Sequence, residues 1–240
     1  MHTATPHRML LALFFIGLLT SCRSPNPNVS IPRHIQLPHL KNAPGGFRDY
    51  SMYSEDIAIQ THGKLYLNKK RISLEKLDAL LKVRPATPGD FFIRIAADRD
   101  IRFADLRPLM ETLTKNGLHF GLWAMDKLPR EDLYLIEVGY VTKEIWREKY
   151  AEYCLSYFQV YHGFFTLDDN RMTPDQLQKT MTIYGDLNPS TELLIMVDDN
   201  ATLADLMEVL GAAYSAGMTD LNLLPFDLSE VGEIEILPEE

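Results

Sequence analysis

The sequence predicts an α/β (α+β) protein built from two small ββαβαβ domains related by internal duplication, each a small sheet with two helices. Two observations carry that expectation. Short apolar runs of strand length alternate with stretches whose leucines recur at helical spacing. A shift of 100 residues then lays the second half of the chain over the first: His62-Gly63 meets His162-Gly163, Leu67 meets Leu167, Arg71 meets Arg171, and Leu77 meets Leu177. In the same register Asp98 meets Asp198, Ala104-Asp105-Leu106 meets Ala204-Asp205-Leu206, and Gly117 meets Gly217. Conservative pairs fill the gaps, among them Ser73 with Thr173, Glu75 with Asp175, Phe103 with Leu203 and Leu118 with Met218.

Each element follows from its residues. In the first copy Asp56 to Gln60 and Lys64 to Leu67 read as two strands around a His62-Gly63 turn. Ser73 is placed to cap a helix carrying Leu74, Leu77, Leu80 and Leu81, which Pro85, Pro88 and Gly89 end. Phe91 to Ala96 is a short apolar strand stopped by Asp98-Arg99-Asp100. Phe103, Leu106, Leu109, Met110 and Leu113 line a second helix closed by Asn116-Gly117, and Leu118 to Trp123 is the next strand. A helix joining two strands in this way places them parallel. In the second copy Tyr157 to Tyr161 and Phe164 to Leu167 form the hairpin, and Thr173 caps a helix with Pro174 at its first position. Leu193 to Val197, Leu203 to Ala216 and Leu221 to Leu224 supply strand, helix and strand. Between the copies, Leu133 to Val141 reads as a strand, and Lys143 to Cys154 as a helix with Trp146, Tyr150, Cys154 and Tyr157 on one side.

Composition narrows the function classes. The 240 residues are 46% hydrophobic and 24% charged, in the range of folded soluble domains. A formal charge of −9 argues against a nucleic-acid partner held through its phosphates. Two cysteines make neither a disulfide scaffold nor a structural zinc site.

The amino terminus reads as an export signal. One arginine, Arg8, precedes the apolar run MLLALFFIGLL over residues 9–19, and Thr20, Ser21 and Cys22 follow. That run is shorter than the roughly 20 residues a bilayer-spanning helix needs. Leu19-Thr20-Ser21-Cys22 resembles a bacterial lipobox, which implies cleavage before Cys22 and acylation there. Removal of residues 1–21 takes one arginine and no acid, so the mature formal charge is −10. Cys154 is then left alone and is expected as a buried thiol. Arg23, rather than an aspartate, after Cys22 hints at the outer membrane, though inner and outer remain open. Five prolines between Arg23 and Asp49 favour an extended tether, at about 3.1 Å per residue. The expected organisation is a signal peptide over 1–21, a Pro-rich tether over 22–49, a first domain over 50–126, a connecting strand and helix over 127–155, a second domain over 156–228, and an acidic tail over 229–240.

The runs GKLYLNKKRISLEKLDALL and FFIRIAADRDIRFADLRPLMETLTKNGLHFGLWA resemble the periplasmic domain of the ExbD/TolR biopolymer-transport family. The resemblance spans Asp56 to Ala124 and, more faintly, Ser156 to Phe226. It implies an accessory subunit of a proton-driven envelope motor, working beside a polytopic partner. In that family a membrane helix carries a proton-handling aspartate. Residues 9–19 contain no acid here, so the sequence departs from the family at the group that marks proton coupling. The expected function is therefore non-enzymatic: a lipid-anchored envelope protein facing the periplasm that docks or bears load. The alternative is a structural or peptidoglycan-binding lipoprotein that keeps the fold without the motor role.

No catalytic, cofactor-binding or metal-ligating residue is singled out; lipidation at Cys22 is the one modification site expected. Asp98-x-Asp100 and Asp198-Asp199-Asn200 have the carboxylates a hard cation favours, but each lies between a strand and a helix, where Asp and Asn serve turns and caps. His62 and His162 read as turn residues, and Trp123 and Trp146 as core. Neither a Gly-x-Ser-x-Gly elbow nor a phosphate loop of the Gly-x-x-x-x-Gly-Lys type occurs. The expected partners are an envelope protein, with a polytopic motor subunit as first choice, a membrane reached through the lipid, and peptidoglycan. The chain itself is expected to be a monomer whose two domains pair as an internal pseudo-dimer, joined through the aromatic-rich segment Leu133 to Tyr161.

Overall fold

A computed structural model describes residues 35–40, 54–83, 92–126, 133–150 and 157–225. Cys22, Cys154, the linkers around Pro85 and the tail after Pro225 lie outside the described residues.

The α/β class is what the structure shows, and the two halves run through the same elements in the same order. In the first half these are β2 (Ser54–Gln60), β3 (Lys64–Leu67), β4 (Lys70–Ile72), α1 (Leu74–Lys82), β5 (Phe92–Ala97), α2 (Phe103–Lys115) and β6 (His119–Asp126). In the second they are β8 (Tyr157–Tyr161), β9 (Phe164–Leu167), β10 (Asn170–Met172), α4 (Pro174–Leu187), β11 (Leu193–Val197), α5 (Leu203–Ser215) and β12 (Leu221–Leu224). Between them lie β7 (Leu133–Tyr140) and α3 (Lys143–Lys149), and a short β1 (His39–Leu40) precedes all.

Each half holds one strand more than the ββαβαβ order predicted. The turn into β4 runs through Asn68 and Lys69 with φ of 48° and 69°, and the turn into β10 through Asp168 and Asp169 with φ of 46° and 65°. Two successive left-handed residues make the tight turn that suits a hairpin's twist, a site usually marked by Asn-Gly. Here it is written Asn-Lys and Asp-Asp, without glycine, so the hairpin was hidden.

The strands form one sheet in the order β10-β9-β8-β11-β12-β7-β6-β5-β2-β3-β4, with β1 parallel to the end of β6. The two small sheets expected from the sequence are thus joined edge to edge. β7 makes the join, antiparallel to β6 through six residue pairs and parallel to β12 through Asn222↔Gly139 and Leu223↔Tyr140. β2, β5 and β6 are mutually parallel, as are β8, β11 and β12. With β7 antiparallel to one trio and parallel to the other, the two halves run in opposite directions.

Alternation along the strands sorts the core into two faces. Ile93, Ile95 and Ala97 of β5, with Leu193, Ile195 and Val197 of β11, pack in one cluster with Leu77, Leu106, Leu177 and Leu206 from α1, α2, α4 and α5. The other face is covered differently in each half. Over the first, Ile35 and Leu37 lie on Phe92, Ala96 and Trp123. Over the second, Trp146 of α3 packs with Tyr150 on Leu194, Met196 and Leu224. Residues 35–40 are therefore part of the folded body and not of an extended tether. The prolines dominated the sequence pattern there and masked Ile35, Leu37 and Leu40, which are all buried.

Helix starts follow their caps. The Ser73 hydroxyl accepts from Lys76 N, and Thr173 forms a reciprocal box with Gln176. Gly117 and Gly217 close α2 and α5 at φ of 68° and 80°, where glycine alone is unstrained.

Candidate functional site

The two halves meet where the strand-to-helix loops of each cap the helix of the other. The first donors of a helix have no partner inside it and must find one outside. At the start of α2, Phe103 N donates to Ala201 O at 2.8 Å and Ala104 N to Asp199 O at 3.1 Å. At the start of α5, Leu203 N donates to Ile101 O and Ala204 N to Arg99 O, both at 2.9 Å. Each bond has its counterpart 100 residues away, the reciprocity of a two-fold interface. Arg102 caps α2 without any side-chain hydrogen bond, so backbone from the other half does that work. Ile101, Phe103, Ala201 and Leu203 are all buried at this seam.

One strap across the seam has no counterpart. Arg107 of α2 ion-pairs with Asp199 at 3.0 Å and donates to Pro225 O at 3.1 Å. Position 207 is a methionine. Nearby, Tyr140 donates from its hydroxyl to Glu111 at 3.2 Å. Burial, and then the negative charge of Glu111, push that phenol far above its ordinary pKa, so it stays a hydrogen-bond donor.

The aspartate runs serve these loops. Asp98 Oδ1 accepts from Asp100 N at 3.3 Å, and Asp198 Oδ1 from Asn200 N at 2.8 Å, both local turns as read from sequence. Among the described residues no group of three or more His, Cys, Asp or Glu converges on a metal position. What the sequence missed is that the carbonyls of these loops join the halves. Its signal was Ile101, a large apolar residue set between Arg99-Asp100 and Arg102. The join expected within Leu133 to Tyr161 is present in β7, and these loops add to it.

The turn histidines behave differently in the two halves. His62 sits at φ 66° in a three-residue turn and is exposed. His162 Nδ1 lies 3.1 Å from Asp205 Oδ2, and Gly163 N donates to Asp205 Oδ1 at 3.1 Å. Asp205 also accepts from Thr202 N at 2.8 Å and Thr202 Oγ1 at 2.7 Å. Burial pushes the Asp205 carboxyl up, but the bonds from Thr202, His162 and Gly163 outweigh it and hold the carboxyl below its usual range. An acid held ionised stabilises the fold above its unfolded pKa, and that contribution is lost as pH falls through its lowered folded pKa. Asp205→Asn is expected to cost about 1 kcal/mol in neutral urea titrations, as for a lost helix cap. The difference from the parent should shrink as pH drops below the carboxylate range; a gap constant with pH would refute it.

Beside the first turn, a cleft of about 640 Å³ opens between the β3–β4 hairpin and the starts of α1 and α2. Its floor is Ile59, Leu65 and Ile72, and its rim carries Lys64, Arg71 and Lys76, all three exposed. Among the described residues none of these three cations has a carboxylate partner. At the matching place in the second half, Phe164 stands for Lys64 and Gln176 for Lys76. There Phe164 stacks on Tyr161 at 4.6 Å, and the Arg171 guanidinium lies 4.6 Å over the Phe164 ring. The two hairpins therefore differ in charge and in ring content at matched positions.

On the far face of the sheet Arg94 Nε lies 2.8 Å from Asp56 Oδ1, with the guanidinium 6.0 Å from the centre of the Trp123 ring. Trp123 is fully buried and Trp146 nearly so, both as core residues.

No curated protein and no solved structure matches the chain. A family model does: Biopolymer transport protein ExbD/TolR, over residues 9–123. The match begins at the first residue of the apolar run and ends within β6, so it takes in the whole first half of the fold as far as the join with β7. Over residues 9–123, just under half of its length, the chain is similar to the ExbD/TolR biopolymer-transport family.

Proposed function

We propose that the protein is a non-enzymatic, lipid-anchored component of the cell envelope that docks to a polytopic motor subunit or bears load for it. The family match over residues 9–123 carries this reading. The exchange of capping bonds across the seam supports an internal duplication in which the second half takes the place a partner subunit would occupy. On this reading the chain is a monomer in solution. The docking role also fits a body whose two halves share one sheet and one core cluster.

Among the described residues no helix is long and apolar enough to cross a membrane. The family match nevertheless includes residues 9–19, which gives the amino terminus two contrasting fates: cleavage and lipidation at Cys22, or retention as a short membrane anchor. The lipobox-like Leu19-Thr20-Ser21-Cys22 favours the first. Cys22→Ser is then expected to abolish acylation and membrane sedimentation together, because stable attachment takes more than one chain and both would be lost. A Cys22→Ser protein that still sediments with membranes would overturn the lipid anchor and favour retention of the apolar run. For docking, site-specific photocross-linking from the exposed face of α1 in native envelopes is expected to capture a polytopic membrane protein. Capture of peptidoglycan fragments instead would favour the structural lipoprotein.

A further inference from the structure

We propose that the β3–β4 edge of the sheet lies against the anionic phospholipid headgroups of the membrane that holds the amino terminus. The proposal rests on the membrane attachment put forward above, by either fate of the apolar run. Residues 64–72, KLYLNKKRI, carry Lys64, Lys69, Lys70 and Arg71 and no acid, in a chain of formal charge −9. All four are exposed, and among the described residues none has a carboxylate partner. β4 is the last strand at its end of the sheet. Lys70 pairs opposite Leu67 and Arg71 opposite Tyr66, so the two point to opposite faces, with Lys69 in the turn beside them. Lys64, two residues before Tyr66, shares the face of Arg71. A ligand seated on one face would meet only some of these charges. A flat surface laid along the edge reaches all four, because β3 lies only about 4.8 Å behind β4.

Charge on an edge strand also blocks pairing with a further strand, but either sign does that. The opposite edge, β10, uses the other sign: residues 164–172, FFTLDDNRM, carry Asp168 and Asp169 against Arg171 alone. Edge protection therefore leaves the positive sign at β4 unexplained. The path of the chain supplies the partner. Pro38 O accepts from Met125 N of β6, and Gln36 O, two residues earlier, accepts from Arg99 N just past β5 at 2.7 Å. Followed back toward the amino terminus, the chain thus steps from β6 to β5, in the direction of β2, β3 and β4. Ile35 shares a cluster with Ala58 of β2, and Tyr66 of β3 packs against that cluster. Three strand spacings, about 14 Å, separate β5 from β4. Twelve residues lie between Cys22 and Ile35 and span at most about 45 Å, so attachment keeps this edge within reach of the bilayer. Nearby acids do not cancel the edge. Asp56 is paired with Arg94 at 2.8 Å, Asp78 with Lys82 at 2.6 Å, and Glu75 sits in the first turn of α1, toward the positive end of its helix.

The test uses the protein as purified from membranes, placed on phosphatidylcholine vesicles with or without about 30% phosphatidylglycerol. Lysine acetylation read by peptide mass spectrometry reports contact. Each cation at an anionic surface favours the bound state about fivefold, so Lys64, Lys69 and Lys70 are expected to react about tenfold more slowly on the anionic vesicles than on the neutral ones. Lys179 of α4, exposed in the other half, should react alike on both. Salt at 1 M, where screening acts beyond about 3 Å, should erase the difference. Lys69→Gln/Lys70→Gln/Arg71→Gln is expected to expose Lys64 again, while Lys69→Arg/Lys70→Arg/Arg71→Lys keeps it protected. Sedimentation with the neutral vesicles reads the amino-terminal attachment separately. If that fails, an excess of anionic vesicles still reports whether the edge binds them. Equal reactivity of the three lysines on both vesicles would overturn the proposal. So would protection given by peptidoglycan fragments or an envelope protein where the anionic vesicles give none.

Discussion

Phe103→Ala is expected to lower the stability of the whole chain by about 4 kcal/mol, the usual cost of emptying a buried aromatic site. Phe103 is 2% exposed, and it opens α2 at the point where Ala201 O accepts its N–H. Its loss therefore damages the first-half core and the seam together. The expected signature is that both halves weaken as one. A single core cluster runs from Leu77 to Leu223 across the two halves, and β7 pairs with a strand from each. Amide exchange read separately on β5 and β11 should accelerate by the same free energy, because opening either half strips the caps from the other's helix. Leu203→Ala, the matching substitution in α5, should act in the same way at about 3 kcal/mol. If Phe103→Ala loosened β5 and left β11 unchanged, the halves would be independent domains, and the reading of an internal pseudo-dimer would fail with them.

That coupling marks where the sequence was legible. Apolar spacing, serine and threonine caps and Gly117 and Gly217 located the four main helices, because those signals are local and each residue satisfies its own neighbour. β4 and β10 were missed because their turns use Asn68-Lys69 and Asp168-Asp169, where left-handed backbone is reached without the glycine that usually announces it. Residues 35–40 were missed for a different reason. Leu40 is buried against α5, so that its Cδ2 would lie 2.9 Å from a Cβ placed on Gly211, a contact 171 residues away. Nothing local distinguishes such a leucine from one in a spacer. The 100-residue register was legible from His62 to Gly117, but it slips by one residue at each end. β2 turns into β3 through three residues where β8 turns into β9 through two. Leu122 pairs opposite Ile95, while Leu223, one place later in the repeat, pairs opposite Ile195. A gap-free comparison stops at such insertions, and only strand pairing carries the correspondence past them. The seam itself is made of backbone carbonyls, which no side-chain pattern records, and Ile101 was its sole outward sign.

Arg94→Met is expected to destabilise the protein by about 3 kcal/mol, although it replaces a charged side chain with an apolar one of similar length. Arg94 and Asp56 are only 15% and 11% exposed in their side chains, and they lie 2.8 Å apart on adjacent parallel strands. Removal of the guanidinium takes the ion-pair partner from a carboxylate that is itself buried, and breaking a buried pair on one side is costly. The pair as a whole is worth far less than either half of it suggests, because desolvating both ions offsets most of their attraction. Asp56→Leu/Arg94→Met should therefore return to within about 1 kcal/mol of the parent, with a coupling free energy of at least about 2 kcal/mol in the double-mutant cycle. Urea unfolding of the four proteins measures each term. A double variant as unstable as the sum of the singles would show that the two side chains hold the strands through separate contacts rather than through each other. The cycle also bears on the outer face of the first half. If the apolar pair folds normally, the charges at this position are not required for stability, and the face covered by Ile35 and Leu37 becomes an apolar layer continuous from β2 to β7. A deeper layer should hold residues 35–40 more tightly, which slower exchange at Leu40 N in the double variant than in the parent would register.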